Sequence, residues 1–181
     1  MPIESVQPKR NVEEIKAGYT AAVAIIRSII SKLGTEQFST EELAIFQTFF
    51  LTSNPSKDLI GRMKVVFQDT YDGITGNNII VLQGKVAPNT KRLAKNNTIE
   101  FSLQTSATNR MAAHYFIHEA THLYGDTADH SYRGYVNADR TGFQDTGLKA
   151  EEAKNNADSY AAFAIAWSDL AGLSSGLNIA K

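Results

Sequence analysis

The sequence contains no cysteine. Disulfides, thiolate metal sites and cysteine nucleophiles are thereby excluded together, while the redox compartment stays open, because a chain without thiols survives in either. No run reaches 18 apolar residues, so no segment is expected to span a bilayer. Charge of one sign is not in excess: 18 Lys and Arg face 19 Asp and Glu, a net charge of −1, with the cations scattered apart from a weak cluster around residues 85–95. Such a balance supplies no field for gathering nucleic acid or an anionic membrane, and neither is expected as a partner. The first residues lack a basic stretch followed by an apolar one. The expectation is a protein outside the general secretory route, or one whose leader has been removed, and the localisation stays undetermined. Internal repeats and low-complexity tracts are missing too. The turn-like residues 73–78 hold no phosphate-binding glycine pattern, so no nucleotide cofactor is expected.

What remains is a chain of 181 residues, 43% hydrophobic and 20% charged, which suits one globular domain. Residues 1–10 carry two prolines and little apolar material and read as a flexible N-terminal tail; residues 11–181 form the domain, expected to be a monomer. Asn11 sits at an N-cap position with Glu13 and Glu14 in the first turn. Ile15, Tyr19, Ala22, Ile26, Ile29 and Leu33 then recur at helical spacing as far as Gly34. Ser39-Thr40-Glu41-Glu42 reads as a capping box opening a second helix, and residues 57–71 read as a third. Residues 79–82 are short, β-branched and bounded by turns, and residues 98–103 alternate, so both are predicted strands. A helix from about residue 110 to 123, a polar glycine-containing stretch over 125–147, and a last helix over about 149–170 complete an α+β, mainly helical chain with a small sheet.

The chemistry centres on His118-Glu119-Ala120-Thr121-His122. Two histidines four apart on a helix project from one face and can direct ring nitrogens to a single Zn²⁺. Glu119 is set round the helix, out of bonding range of the ion but able to take a proton from a water that the ion acidifies. A third protein ligand is required. The residues leave it open: Asp126, Asp129 and His130 lie in the following stretch, and Glu151, Glu152 and Asp158 in the last helix. A third histidine at metzincin spacing would fall on Ala128, and Glu151 and Glu152 lack the surroundings of a thermolysin-like ligand. His114, one turn before His118, would point away from a tetrahedral ion and reads as a packing or supporting residue. Tyr124, Tyr135 and Trp167 read as core or pocket wall.

These residues resemble the aspzincins, the family of deuterolysin and the peptidyl-Lys metalloendopeptidases. That family follows H-E-x-x-H with G-T-x-D-x-x-Y-G and a helix containing N-A-D-S-Y. Here the chain reads Asp126-Thr127-Ala128-Asp129-His130-Ser131-Tyr132, then Asn156-Ala157-Asp158-Ser159-Tyr160, three ordered matches across about fifty residues. Asp126 and Arg133 stand where the motif has its two glycines. The resemblance implies a zincin-like domain with zinc on His118, His122 and Asp129, Glu119 as catalytic base, and Tyr132 stabilising the oxyanion of the tetrahedral intermediate. It leaves His130 as rival to Asp129. It offers Asp158 as a substrate-binding carboxylate for a lysine after the cleaved bond, although the second acidic position of that pocket is Ala161. The other reading of Asp158 is a supporting hydrogen bond to a zinc-binding histidine or to loop backbone. The lack of cysteine separates the chain from disulfide-bonded fungal members and points to a bacterial branch.

The expectation is a zinc-dependent endopeptidase acting on protein or peptide substrates, with an inhibitor or immunity protein as a candidate partner. Two alternatives stand beside it: a protease toxin or effector delivered into another cell, and a non-catalytic zinc-binding interaction module.

Overall fold

The computed structural model describes residues 3–7, 11–82, 98–100, 108–137, 139 and 141–173. Among them are six helices and a three-stranded parallel sheet, a mixed α+β arrangement dominated by helix. Ile3–Gln7 forms β1, which runs parallel to β2 (Ile79–Leu82), and β2 runs parallel to β3 (Thr98–Glu100). The expected flexible tail is thus corrected over residues 3–7. These five residues carry little local signal, and their order comes from backbone pairing with a strand more than seventy positions away, with Val6 buried beneath it. Of the strand expected over 98–103, residues 101–103 lie outside the described residues.

Between β1 and β2 run α1 (Val12–Thr35), α2 (Thr40–Phe50) and α3 (Lys57–Gly76). The α1 stripe of Ile15, Tyr19, Ala22, Ile26, Ile29 and Leu33 is buried throughout, as its spacing predicts. Asn11 opens α1 in the left-handed conformation at φ 49° without a side-chain cap, a conformation Asn tolerates. The capping box of α2 forms in both directions: Ser39 Oγ accepts from Glu42 N at 3.3 Å, and Glu42 Oε2 accepts from Ser39 N at 2.6 Å. Helix α3 runs five residues further than its periodicity suggests, because Gly73 lies directly against the Tyr124 ring and the Tyr19 hydroxyl donates to the Ile74 carbonyl at 3.1 Å.

After the sheet come α4 (Asn109–Tyr124), a 3-10 turn (Ser131–Gly134), α5 (Ala150–Ala153) and α6 (Ala157–Leu170). Helix α4 is central, packed by α1, α3 and α6. A Cβ on Gly18 of α1 would come within 2.5 Å of Ala112 Cβ, so α1 and α4 approach as closely as glycine permits. Phe46, Phe50, Phe67, Tyr160 and Phe163 join α2, α3 and α6 through edge-on and tilted ring contacts with centroids 5.0–6.3 Å apart. The long final helix expected over 149–170 is two helices, and the break at residues 154–156 has a function in the site.

Candidate metal centre

Thr108 caps α4, its hydroxyl accepting from Met111 N at 3.2 Å. Ala112, Ala113, Phe116, Ile117 and Ala120 are buried along the helix and fix its rotation. That rotation puts His118 and His122 on the face toward α6 and the loop over 125–137. The chain then turns sharply. Gly125 N donates to Thr121 O at 2.9 Å, Asp126 takes φ 54°, and Thr127 Oγ donates to Thr121 Oγ at 3.0 Å. A positive φ at Asp126 is one that a short polar side chain can adopt.

The loop is next stitched onto the break between α5 and α6. Ala128 N donates to Asn155 O at 2.7 Å, and Ala157 N donates to Ala128 O at 3.0 Å. Arg62 of α3 reaches in, its Nη2 donating to Gly125 O (3.1 Å), Asp126 O (3.0 Å) and Asn155 Oδ1 (2.7 Å). A continuous helix over 149–170 would offer no free backbone for this pairing. The break presents one, and the residue after Ala128 is thereby returned over α4.

That residue is Asp129. Its Oδ1 lies 3.4 Å from His118 Nε2 and 3.2 Å from His122 Nε2, and the two Nε2 atoms are 3.3 Å apart. A tetrahedron of N and O ligands at zinc bond lengths of about 2.0–2.1 Å has edges of about 3.3–3.4 Å. The three atoms therefore form one triangular face of such a tetrahedron, and the donor set fits the ion. Each imidazole has its other nitrogen engaged: His122 Nδ1 with the Thr127 carbonyl at 2.9 Å, His118 Nδ1 with Asp158 Oδ1 at 3.1 Å. Carbonyls and carboxylates only accept, so both Nδ1 atoms carry a proton, and a cation that displaced the protons shared with Asp129 would meet both Nε2 lone pairs at one point.

The electrostatics run the same way. Burial pushes the His118 imidazolium down, but hydrogen bonds to Asp129 and Asp158 outweigh it and raise the pKa to about 10. Burial pushes Asp129 up, and the hydrogen bonds from His118 and His122 overcome it and hold the carboxyl well below its usual range. The pocket favours positive charge at its centre. Glu119, on the same helix, is partly buried and close enough for its charge to act on His118 and Tyr135.

Among the described residues, the atoms that converge with His118 and His122 belong to Asp129; His130 does not join them. Nor do Glu151 and Glu152. Glu151 pairs with Lys154 at 2.9 Å, and Glu152 pairs with Arg133 at 3.1 Å while accepting from Lys149 N at 2.9 Å. Arg133 thus ties the loop to α5.

Two side chains are placed differently from what the resemblance implies. Tyr132 lies on the 3-10 turn and is 63% exposed. The phenol beside the site is that of Tyr135, whose ring stacks near-parallel over His118 with centroids 6.3 Å apart. Burial, then the charge of Asp129, pushes the Tyr135 hydroxyl up to about 12, so it stays a donor at neutral pH. The 3-10 turn over Ser131–Gly134 leads directly into Tyr135. Asn156 locks the turn from below, donating to the Gly134 carbonyl at 2.7 Å.

Asp158 is not offered to a substrate. It is 4% exposed, its Oδ1 accepts from His114 Nε2 (3.0 Å) and His118 Nδ1 (3.1 Å), and its Oδ2 accepts from Val136 N at 2.7 Å. Buried and with both oxygens engaged inside the protein, its geometry matches the supporting reading, a hydrogen bond to His118 on one oxygen and to loop backbone on the other. His114, His118 and Asp158 form a second, fully buried group of metal-ligating type that shares His118 with the first. No protein-family model matches the chain, and no curated protein sequence matches it significantly.

Proposed function

We propose that the chain is a zinc-dependent endopeptidase with a zincin-like active site similar to that of the aspzincins. The observation that carries this reading is the triangle of His118 Nε2, His122 Nε2 and Asp129 Oδ1, with edges of 3.2–3.4 Å and both Nδ1 protons committed elsewhere. Three ligands of N, N and O type leave one tetrahedral position for solvent or substrate, the arrangement of a catalytic site and not of a closed structural one. When bound, zinc supplies Lewis acidity, making water acidic near neutral pH and polarising a carbonyl.

The rest falls to the chain's own residues. Glu119 takes the proton of the attacking water and passes it to the leaving amine. Tyr135 donates its hydroxyl to the oxygen that gains charge as the carbonyl becomes tetrahedral, a task the sequence motif alone assigns to Tyr132. His118, His122 and Asp129 hold the ion, and Asp158 and the Thr127 carbonyl orient the two imidazoles. A preference for lysine is not part of the proposal, since Asp158 is otherwise engaged.

The test is Glu119→Gln against wild type. Zinc content is expected to stay at one equivalent, while cleavage of an unfolded protein substrate falls by about 10²–10⁴-fold, the usual size of a general-base contribution. Undiminished cleavage by zinc-loaded Glu119→Gln contradicts the mechanism.

A further inference from the structure

Glu119, Tyr135 and the three ligands leave one buried titratable side chain near the centre without a role, His114. It lies one turn before His118 on α4, is 7% exposed, and its ring stacks at 28° to that of His118 with centroids 6.5 Å apart. Its Nε2 reaches Asp158 Oδ1 at 3.0 Å, the same oxygen that His118 Nδ1 meets at 3.1 Å. An ionised carboxylate only accepts, so both ring nitrogens donate, and the connected order is His114, Asp158, His118, metal point. Val136 N holds the other oxygen at 2.7 Å.

We propose that His114 is a positioning residue: its Nε2–H clamps the Asp158 carboxylate so that the carboxylate, in turn, fixes the tautomer and aim of His118. The proposal rests on the metal reading above and extends it by one shell. Without the His114 donor, Asp158 Oδ1 keeps a single partner, and the carboxylate can turn about its terminal torsion, pivoting on Val136 N. His118 then loses the fixed acceptor that holds its Nδ1 proton, and its Nε2 loses the direction that the 3.2–3.4 Å triangle requires. The same three buried atoms have the donor types for a second cation, but the two separations, 3.0 and 3.1 Å, are ordinary N–H···O lengths. A cation there would also demand that His118 bridge two metals with both nitrogens bare.

The test compares His114→Phe, which keeps a ring but removes the donor, with His114→Gln, whose amide N–H can stand in for Nε2–H, each alone and combined with Asp158→Asn. Zn²⁺ affinity is read by competition with a chromophoric chelator. His114→Phe is expected to bind about tenfold more weakly, within the range for partners that orient metal-binding histidines. His114→Gln should stay within about threefold of wild type, and His114→Phe should weaken Asp158→Asn no further, because the two act along one chain of contacts. A purely volumetric role for His114 would instead favour Phe over Gln.

In the wild-type holoprotein, nitrogen-15 spectra of the imidazoles should show His114 as the Nε2–H tautomer and His118 as Nδ1–H, independently of whether any variant folds. Equal loss in Phe and Gln, full affinity in Phe, additivity with Asp158→Asn, the opposite tautomer at His114, or two zinc ions per wild-type chain overturns the proposal while leaving the metal centre standing. Failure of the wild type to take up zinc at all overturns both.

Discussion

His118 and His122 each spend one ring nitrogen inside the protein and aim the other at a point shared with Asp129. Two bare nitrogens and a carboxylate oxygen within 3.4 Å of one another repel unless a cation or a proton sits among them. The tyrosines give a sharper test at this scale. Tyr135→Phe is expected to lower kcat on a peptide substrate by about 10²–10³-fold, the cost of one oxyanion donor, with KM little changed. Tyr132→Phe should remain near wild type, because that ring is 63% exposed. The reverse ranking would return the catalytic role to Tyr132. Asp158→Asn should weaken zinc binding by about 10–100-fold, measured by chelator competition, through the loss of a charged acceptor for His118; unchanged affinity would count against its supporting role.

At the scale of elements, the site is made by a break. Helices α5 and α6 separate at residues 154–156 so that Asn155 and Ala157 can pair with Ala128, and Arg62 of α3 fastens the junction with three hydrogen bonds. Arg62→Met is expected to cost about 1.5–3 kcal/mol of stability, the range for charged hydrogen bonds, and to reduce zinc affinity with it. Denaturant melts and zinc competition measure both, and a variant stable but unchanged in affinity would uncouple Arg62 from the site.

These elements also show what the sequence can and cannot reveal. The H-E-x-x-H helix, the α1 stripe and the Ser39 capping box are legible because their signals are local, set by side-chain spacing and by residues three apart. Asp129 was narrowed by resemblance but not separated from His130 by spacing. The strand β1, the break before α6 and the placing of Tyr135 beside His118 were not legible. Each depends on a partner distant in sequence: β2 for the strand, Ala128 for the break, Asn156 for the turn that carries Tyr135. His114 and Asp158 were visible as candidates, yet only the packing of α4 on α6 reveals that they meet.

For the whole molecule, one helical core supports the site, and among the described residues no helix is long and apolar enough to cross a membrane. The ligands come from α4 and from the loop that returns over it, so a bound ion ties that loop to the core and binds the folded state in preference to the unfolded one. Zinc at 100 times its dissociation constant should add about 2.7 kcal/mol of stability, raising Tm by about 5–10 °C for a chain of this size. The central claim is that one cation is gripped by His118, His122 and Asp129, and calorimetric titration of metal-stripped protein with Zn²⁺, wild type beside His122→Ala, tests it most directly. One equivalent bound by wild type, with affinity lost by a hundredfold or more in His122→Ala on the order expected for removing a ligand rather than its supporting partner, is the predicted result. No binding to wild type, or equal binding by both proteins, contradicts it.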